Sequence, residues 1–214
     1  MVERKKILEA VRTAIESAPE RKFSESVDLT VNLKNIDMAQ PKNRIDETIL
    51  LPQGTGFSVG IAVLGKGEIT TQAKEAGVDL IISPEEIERL GGEPREARKM
   101  ANQYRFFLAE TAVMPLVGRY LGVRLGPRGK MPLPISQGTD IRPIVERLRG
   151  SVKIRTKDKK VFSAKVGTTA MGPEQIAENI DAIMKRVESV LDQGALNVRS
   201  VYVKTTMGPA VKVE

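Results

Sequence analysis

The sequence contains no cysteine and no histidine among its 214 residues. Without cysteine, the chain can form no disulfide bond, no zinc–thiolate site and no thiolate nucleophile. Without histidine, it lacks the most common general base and every histidine-dependent catalytic triad. Catalysis by Asp, Glu, Lys or Tyr remains possible.

Aromatic residues and long apolar runs are also scarce. Aromatic residues make up 4% of the chain, which argues against an extensive platform for stacking nucleic-acid bases. No apolar run approaches the roughly 20 residues that span a bilayer. The N-terminal segment Met1–Lys6 is charged and leads into an amphipathic helix, unlike a signal peptide. We therefore expect a cytoplasmic protein with no membrane partner.

Positive charge, by contrast, is abundant. The chain has 34 Lys and Arg residues against 27 acidic residues, a net charge of +7. Such an excess favours a polyanionic partner such as nucleic acid. The segment from Arg95 to Lys130 contributes eight of these cations against two glutamates. A hydrophobic content of 41% in a chain of this length provides a core for one large domain or two small ones.

The hydrophobic pattern changes twice along the chain. Near both ends, Val27–Leu33 and Val161–Gly167 alternate apolar and polar residues, which is typical of half-buried antiparallel strands. In the middle, continuous apolar runs such as Val59–Leu64 alternate with helices, which indicates a parallel sheet. We predict a split α+β domain with an antiparallel sheet (residues 1–57 and 152–214) and an inserted Rossmann-like α/β domain (residues 58–151). Glycines near the two crossings would form a double hinge.

Two local predictions concern connections. The stretch 122–134 is rich in Gly, Pro and cations and is predicted to be one long loop. A short strand at Val152–Ile154 is predicted to neighbour Val161–Gly167, with Lys157–Lys160 as a solvated hairpin turn between them.

Glycine-rich segments invite a phosphate-binding interpretation, which the spacing does not support. For Gly126–Lys130 to be a Walker loop, glycine would have to replace Arg124 and Ser or Thr would have to replace Met131. The glycine pairs at 54–56 and 65–67 lack the third glycine of a dinucleotide fingerprint. We predict no cofactor. An α/β enzyme that acts on a phosphorylated substrate through Arg128 and Lys130 remains the alternative.

The stretch Val201–Pro209 begins as a strand and breaks into Thr-Thr-Met-Gly-Pro. One interpretation is a strand end that forms a hairpin into Val211–Val213. The other is a tip that meets Lys22-Phe23, Asp28 and Lys165–Gly167 in the split domain. Such a surface suits folded RNA, because A-form RNA displays ribose hydroxyls in a shallow groove that short donors and acceptors can contact.

Three motifs then point to a family. Lys22-Phe23 precedes an acidic strand, Leu125–Pro132 reads Leu-Gly-Pro-Arg-Gly-Lys-Met-Pro, and Thr-Thr-Met-Gly-Pro follows a Val-Tyr-Val strand. Together and in this order they resemble the family of large-subunit ribosomal proteins of the mobile side stalk, the "L-one" family. Asn43-Arg44-Ile45 is similar to the archaeal branch.

The resemblance implies a function that residue patterns alone do not reach. A member of this family would be a non-enzymatic constituent of the large ribosomal subunit, bound to ribosomal RNA in the stalk near the exit site for transfer RNA. It would assist release of deacylated tRNA and repress translation by binding its own messenger RNA. It would be a monomer when free. A general polyanion-binding scaffold is a third interpretation.

The resemblance also assigns RNA contacts to individual residues of the split domain. At position 28 this chain has Asp28, where other members commonly carry Glu. The predicted RNA-binding residues are Lys22, Phe23, Asp28, Lys165, Gly167, Lys204, Thr205, Thr206, Met207 and Gly208. The predicted secondary RNA contacts, in the inserted domain, are Arg119, Arg124, Arg128 and Lys130.

Overall fold

A computed structural model describes residues 4–213 of the chain. The contacts between residues divide the chain into two compact units. The first unit comprises residues 1–57 together with residues 150–214, and the second comprises residues 58–149. The chain re-enters the first unit two residues earlier than the sequence suggested, because β7 (Ser151–Arg155) starts at once and the Leu51 N–H donates to the Gly150 carbonyl.

The first unit is an α+β structure with antiparallel sheets. Besides β7, its elements are α1 (Arg4–Glu16), β1 (Ser26–Leu33), β2 (Asp46–Leu50), β8 (Val161–Thr168), α8 (Pro173–Val190), β9 (Val198–Thr205) and β10 (Val211–Lys212), with 3-10 turns at Pro41–Asn43 and Gly194–Asn197. A four-stranded sheet has the order β10-β9-β1-β8, and a two-stranded sheet pairs β2 with β7.

The core of this unit follows from the predicted alternation. Along β1 every second residue, from Val27 to Leu33, is buried, and the residues between are partly exposed. The apolar stripe of α8, including Ile176, Ile180 and Ile183, lies in the same core cluster as these strand residues. One face of the four-stranded sheet is therefore packed, whereas polar side chains of β1, β8 and β9 line the other face.

The predicted pairing between residues 152–154 and 161–167 is wrong. β7 pairs with β2, and β8 pairs with β1 in the larger sheet. The paired strands run in register along their lengths, Asp46–Leu50 against Ser151–Arg155 and Ser26–Asn32 against Val161–Thr168. Lys157–Lys160 is therefore an exposed connection between two sheets rather than a hairpin turn.

The second unit is Rossmann-like. Its sheet has the order β4-β3-β5-β6, and all pairings are parallel. Alternate side chains of the central strands β3 and β5 belong to two separate apolar clusters, one on each face of the sheet. Both strands are therefore buried along their whole length. The elements are β3 (Ile61–Leu64), α2 (Glu68–Glu75), β4 (Leu80–Ile82), α3 (Pro84–Gly92), α4 (Pro94–Gln103), β5 (Phe106–Glu110), a 3-10 turn at Thr111–Val113, α5 (Met114–Tyr120), α6 (Gly122–Leu125), β6 (Leu133–Ile135) and α7 (Arg142–Arg149).

The stretch 122–134 is not one long loop, as the sequence suggested. It contains the short helix α6, which buries Leu125, and the start of strand β6, which pairs with β5. Pro134 is tolerated in β6 because β6 is an edge strand. The predicted combination of an antiparallel and a parallel sheet is confirmed. Across residues 4–213, no helix is both long and apolar enough to cross a membrane.

Candidate nucleic-acid interface

Three strand ends meet at one end of the four-stranded sheet. The start of β1 and the end of β9 are joined beyond the ladder, where the Thr206 N–H donates to the Ser26 carbonyl at 3.0 Å and the Ser26 N–H donates to the Thr206 hydroxyl at 3.2 Å. The end of β8 joins through Thr169, whose N–H donates to the Glu25 carbonyl at 2.9 Å. The sheet thus gathers segments that lie about 180 residues apart in the sequence.

The Thr-Thr-Met-Gly turn is fixed by internal hydrogen bonds. The Gly208 N–H donates to the Thr205 hydroxyl at 3.0 Å, and the Met207 N–H donates to the Glu25 carboxylate at 3.1 Å. Thr205 is fully buried. A Cβ at Gly208 would collide with the Thr205 hydroxyl and crowd Ala18. Thr205 and Gly208 therefore shape the turn from inside, whereas the turn's exposed side chains are those of Thr206 and Met207.

Exposed apolar side chains and cations are combined at this end of the sheet. Phe23 is 56% exposed and Met207 is 54% exposed, although both are large and apolar. Lys22 and Thr206 are exposed as well. We refer to Lys22, Phe23, Thr206 and Met207 as the tip surface. Solvent-exposed apolar side chains beside a rigid turn are characteristic of a contact surface.

Behind the tip surface, the open face of the sheet carries a row of charges. On this row Asp28 pairs in register with Lys165 on one side and Lys204 on the other. Partial burial raises the pKa of the Asp28 carboxyl group, and the two ammonium groups oppose this effect without cancelling it. The Lys165 ammonium also lies 3.5 Å from the centroid of the Phe57 ring.

The remaining predicted residue, Gly167, is buried rather than open to a ligand. A Cβ at Gly167 would crowd Met171 and Ile176, at 3.1 and 3.2 Å, so glycine here allows β8 to pack on α8. The structure therefore places seven of the ten predicted residues on the tip surface or on the charged row. Gly167, Thr205 and Gly208 lie beneath them.

Sequence reasoning missed Glu25, which supports the tip surface from inside. This carboxylate is only 4% exposed. Its Oε2 accepts from the Met207 N–H, and within residues 4–213 its Oε1 has no hydrogen-bond partner. Buried carboxylates are rare unless they are paired. The signal in the sequence was a glutamate directly before an alternating strand, in the run Lys-Phe-Ser-Glu-Ser.

Comparisons with known proteins show the family to which the chain belongs. The model of the ribosomal protein L1p/L10e family matches residues 13–209. Proteins named large ribosomal subunit protein uL1 from Methanoregula boonei and Methanoculleus marisnigri are each 76% identical to the chain over 213 residues, which is 100% of either chain. The protein of the same name from Methanosarcina mazei is 50% identical, again over 100% of both chains. The chain belongs to the ribosomal protein L1p/L10e family.

Membership of the L1p/L10e family confirms the resemblance on which the sequence analysis relied. The family is structural, so the prediction of a non-enzymatic ribosomal protein is confirmed and the enzyme alternative is removed. The predicted location, in the cytoplasm as part of the large ribosomal subunit, is confirmed on the same basis.

In this L1p/L10e chain, residues 119–131 of the second unit, which we call the basic segment, have an internal role. The Lys130 ammonium donates to the carbonyls of Ala101 and Tyr104, at 2.7 Å each. Arg128 donates to the Asn102 side chain at 3.2 Å and to the Arg124 carbonyl at 2.9 Å. These cations hold the C-terminal end of α4, where the helix dipole favours positive charge.

Burial also changes the pKa of one side chain in this segment, that of Lys130. The pKa of Lys130 is lowered, first by burial and then by the nearby charges of Arg105 and Arg128. Arg119 is more exposed, with its guanidinium 5.5 Å from the centroid of the Tyr120 ring. Arg128 and Lys130 are therefore hydrogen-bonded at the C-terminal end of α4. Arg119 is not part of this arrangement and remains a candidate for RNA contact.

Proposed function

We propose that this chain binds a folded segment of large-subunit ribosomal RNA through the tip surface and the charged row behind it. In the ribosome it would form the mobile stalk with that RNA and assist the release of deacylated tRNA from the exit site. Family membership supports a ribosomal partner. The observation that carries the proposal is the fixed turn that leaves Met207 and Thr206 exposed and bonds them to Glu25 and Ser26, the residues that closely follow exposed Lys22 and Phe23 in the chain.

The chemistry of the surface suits the groups that folded RNA exposes. Met207 and Phe23 provide apolar area that can pack against sugars or unstacked bases. Asp28 can accept a hydrogen bond from a ribose 2′-hydroxyl, a group that distinguishes RNA from DNA. Lys22, with Lys165 and Lys204 on the row behind, supplies positive charge toward phosphates. Apolar, acceptor and cationic groups therefore lie in one region of the first unit.

The rigidity of the turn matters for affinity. A flexible turn would lose conformational entropy on binding, which weakens association. Here the Glu25 carboxylate and the Thr205 hydroxyl fix two successive backbone N–H groups, those of Met207 and Gly208, before any ligand arrives. The same surface could therefore recognise a similar fold in the chain's own messenger RNA, and occupancy of that site would repress translation. We propose that the chain binds either RNA as a monomer.

The first experiment compares a structured stalk RNA fragment with a scrambled RNA of the same length and composition. We expect tight binding to the stalk fragment, with an affinity that falls as salt rises because counterions are released. The scrambled RNA should bind more weakly at every salt concentration. Equal affinity for both RNAs at matched salt would instead identify a general polyanion binder. The messenger RNA fragment should compete with the stalk fragment for one site.

A substitution at Thr206 tests the location of the site. Thr206→Ala removes a hydroxyl that accepts from the Ser26 N–H and keeps a second lone pair open to a donor of the RNA, and it leaves the backbone pairing in place. We expect the affinity for stalk RNA to fall by about tenfold, the usual consequence of losing a hydrogen bond in an interface. Thr71→Ala, an exposed threonine of the second unit, is the matched control. Unchanged affinity in Thr206→Ala, with the fold intact, would contradict the assignment.

A further inference from the structure

A polar cavity lies in the second unit, at the carboxyl edge of its parallel sheet. β3 comes first in this sheet, and the later strands β4 and β5 lie on opposite sides of it. The strand order therefore reverses between β3 and β5, and open α/β sheets bind ligands outside the carboxyl ends of the strands at such a point. A cavity of about 290 Å³ opens here, a volume near the lower end for ligand sites.

Glu110, the last residue of β5, lines this cavity and is only 7% exposed. Its Oε1 accepts from the Gln137 side-chain amide at 2.6 Å, and its Oε2 accepts from the Lys66 N–H at 3.4 Å. Within residues 4–213 no lysine or arginine forms an ion pair with it. A buried carboxylate without a cation is destabilising unless hydrogen bonds compensate. Because a carboxylate accepts about four hydrogen bonds, Glu110 retains capacity for donors that enter the cavity.

The loop after β3 is built to approach this carboxylate closely. A Cβ at Gly65 would collide with Ile69 and lie 3.5 Å from the Glu110 carboxylate. Gly67 has a φ angle of 72°, which favours glycine. The two glycines thus allow the backbone to pass beside Glu110 and to direct the Lys66 N–H toward it. This arrangement is not explained by RNA binding at the tip surface, which lies in the first unit.

The lining of the cavity indicates the class of ligand. Besides Glu110, side-chain amides and hydroxyls come from Gln72, Ser136, Gln137 and Thr139. Glu68 occupies the first turn of α2 and opposes an anion at that helix end. Lys66 is the only cation among the lining residues, so a phosphate group finds little compensation. The site favours an uncharged ligand that carries several hydroxyl donors and amide-like groups.

We propose that this cavity binds a nucleoside, whose ribose 2′ and 3′ hydroxyls donate to the two oxygens of Glu110. The adjacent amide and hydroxyl side chains would pair with the base edge or the remaining sugar oxygen. A free nucleoside and the 3′-terminal nucleoside of an RNA strand share this chemistry. Both carry the vicinal diol, which a deoxyribonucleoside or a 3′-phosphorylated strand lacks.

The test is a titration of the full chain, followed by amide NMR. Ribonucleosides should perturb the amides of the 65–67 loop and of residues 136–139, and 2′-deoxyribonucleosides should bind several-fold more weakly. A trinucleotide with a free 3′ end is compared with the same strand 3′-phosphorylated. Binding of the free-ended strand but not its phosphorylated form assigns the site to an RNA end, whereas binding of ribonucleosides alone assigns it to a free ligand.

Variants separate recognition from folding. Glu110→Gln should weaken nucleoside binding by at least about tenfold, as expected for loss of a hydrogen bond to a charged group. Gln137→Ala, at an exposed position, should weaken it several-fold, and Glu88→Gln, on α3, should leave it unchanged. All three should bind stalk RNA normally, which separates this site from the tip surface. The proposal is overturned if no ribonucleoside perturbs these amides, if folded Glu110→Gln and Gln137→Ala both bind like the wild type, or if only organic cations such as spermidine bind.

Discussion

The tip surface of the first unit and the basic segment of the second unit use similar residues for different purposes. Each has a cation and an exposed methionine close to a Gly-Pro pair: Met207 precedes Gly208-Pro209, and Met131 follows Gly126-Pro127. In the tip surface the backbone groups are satisfied by buried Thr205 and Glu25, so the exposed side chains remain available. In the basic segment the cations themselves satisfy backbone carbonyls. Under the proposed function, a basic, glycine-rich stretch is free to contact RNA only where other groups complete its backbone hydrogen bonds.

The strongest challenge to this comparison is a charge placed on the tip surface. Met207→Asp should reduce affinity for stalk RNA by on the order of 100-fold, because it removes an apolar contact and repels phosphates. Unfolding by urea should be unaffected, since Met207 is exposed. Leu196→Asp, at a leucine of the same unit that is 71% exposed, is the control for charge alone. Similar losses of affinity in both variants would show that the added negative charge, rather than its place on the tip surface, weakens binding.

A substitution in the second unit tests the internal role of the basic segment. Lys130→Met keeps the length of the side chain but removes both hydrogen bonds to the end of α4. We expect the second unit to lose about 2 kcal/mol of stability, measured by amide hydrogen exchange in α4 and β5. Affinity for stalk RNA should change little. Unchanged amide hydrogen exchange combined with a large loss of RNA affinity would show instead that Lys130 contacts RNA.

Salt dependence sharpens the comparison between single cations. Lys22→Ala should reduce the slope of log affinity against log salt by about one, the signature of one lost phosphate contact. Arg128→Ala should leave that slope unchanged, because its guanidinium is hydrogen-bonded to the end of α4 and to α6. A smaller slope for Arg128→Ala than for Lys22→Ala would reverse the assignment of the two segments.

The smallest expected effect concerns the stability contribution of Asp28. Its raised pKa means that the folded state binds the proton more tightly than the unfolded state, so ionisation weakens folding. As pH rises from below the ordinary value of 3.8 through the raised value, the wild type should lose stability relative to Asp28→Asn. We expect less than about 1 kcal/mol, because the carboxyl group is partly solvated. Urea unfolding between acidic and neutral pH measures the difference, and a wild type that gains stability relative to Asp28→Asn over this range would contradict the prediction.

The same substitution separates stability from binding. If Asp28 accepts from a ribose hydroxyl, Asp28→Asn should weaken binding to stalk RNA severalfold while its stability at neutral pH stays equal or rises. Asp46→Asn, on β2 of the same unit, is a control for loss of a carboxylate that is paired with Lys153 and Arg155. Equal affinity of wild type and Asp28→Asn would remove Asp28 from the contact set.

The periodicity of the sequence predicted the two kinds of sheet, because burial on one face gives alternating apolar residues and burial on both faces gives continuous apolar runs. The sequence contains no comparable pattern that shows which strands pair. The partner of β7 is β2, about 100 residues earlier in the chain, and the pairing was therefore predicted wrongly. The helix within 122–134 was missed for a related reason, since burial of Leu125 in the second core outweighs the glycines around it.

Composition and motifs by themselves determined the class of protein and the stretch that carries the candidate site: the absent Cys and His, the basic charge, and the Thr-Thr-Met-Gly-Pro sequence. The tertiary structure alone decided which members of that stretch face solvent. Thr205 and Thr206 are neighbours of the same type, yet Thr205 is fully buried and Thr206 is exposed. Thr205 is enclosed by the turn and bonded to the Gly208 N–H, whereas Thr206 stays open to solvent although it also accepts from the Ser26 N–H. These backbone groups, like the carbonyls at the end of α4 that Lys130 contacts, are brought to the side chains only by folding.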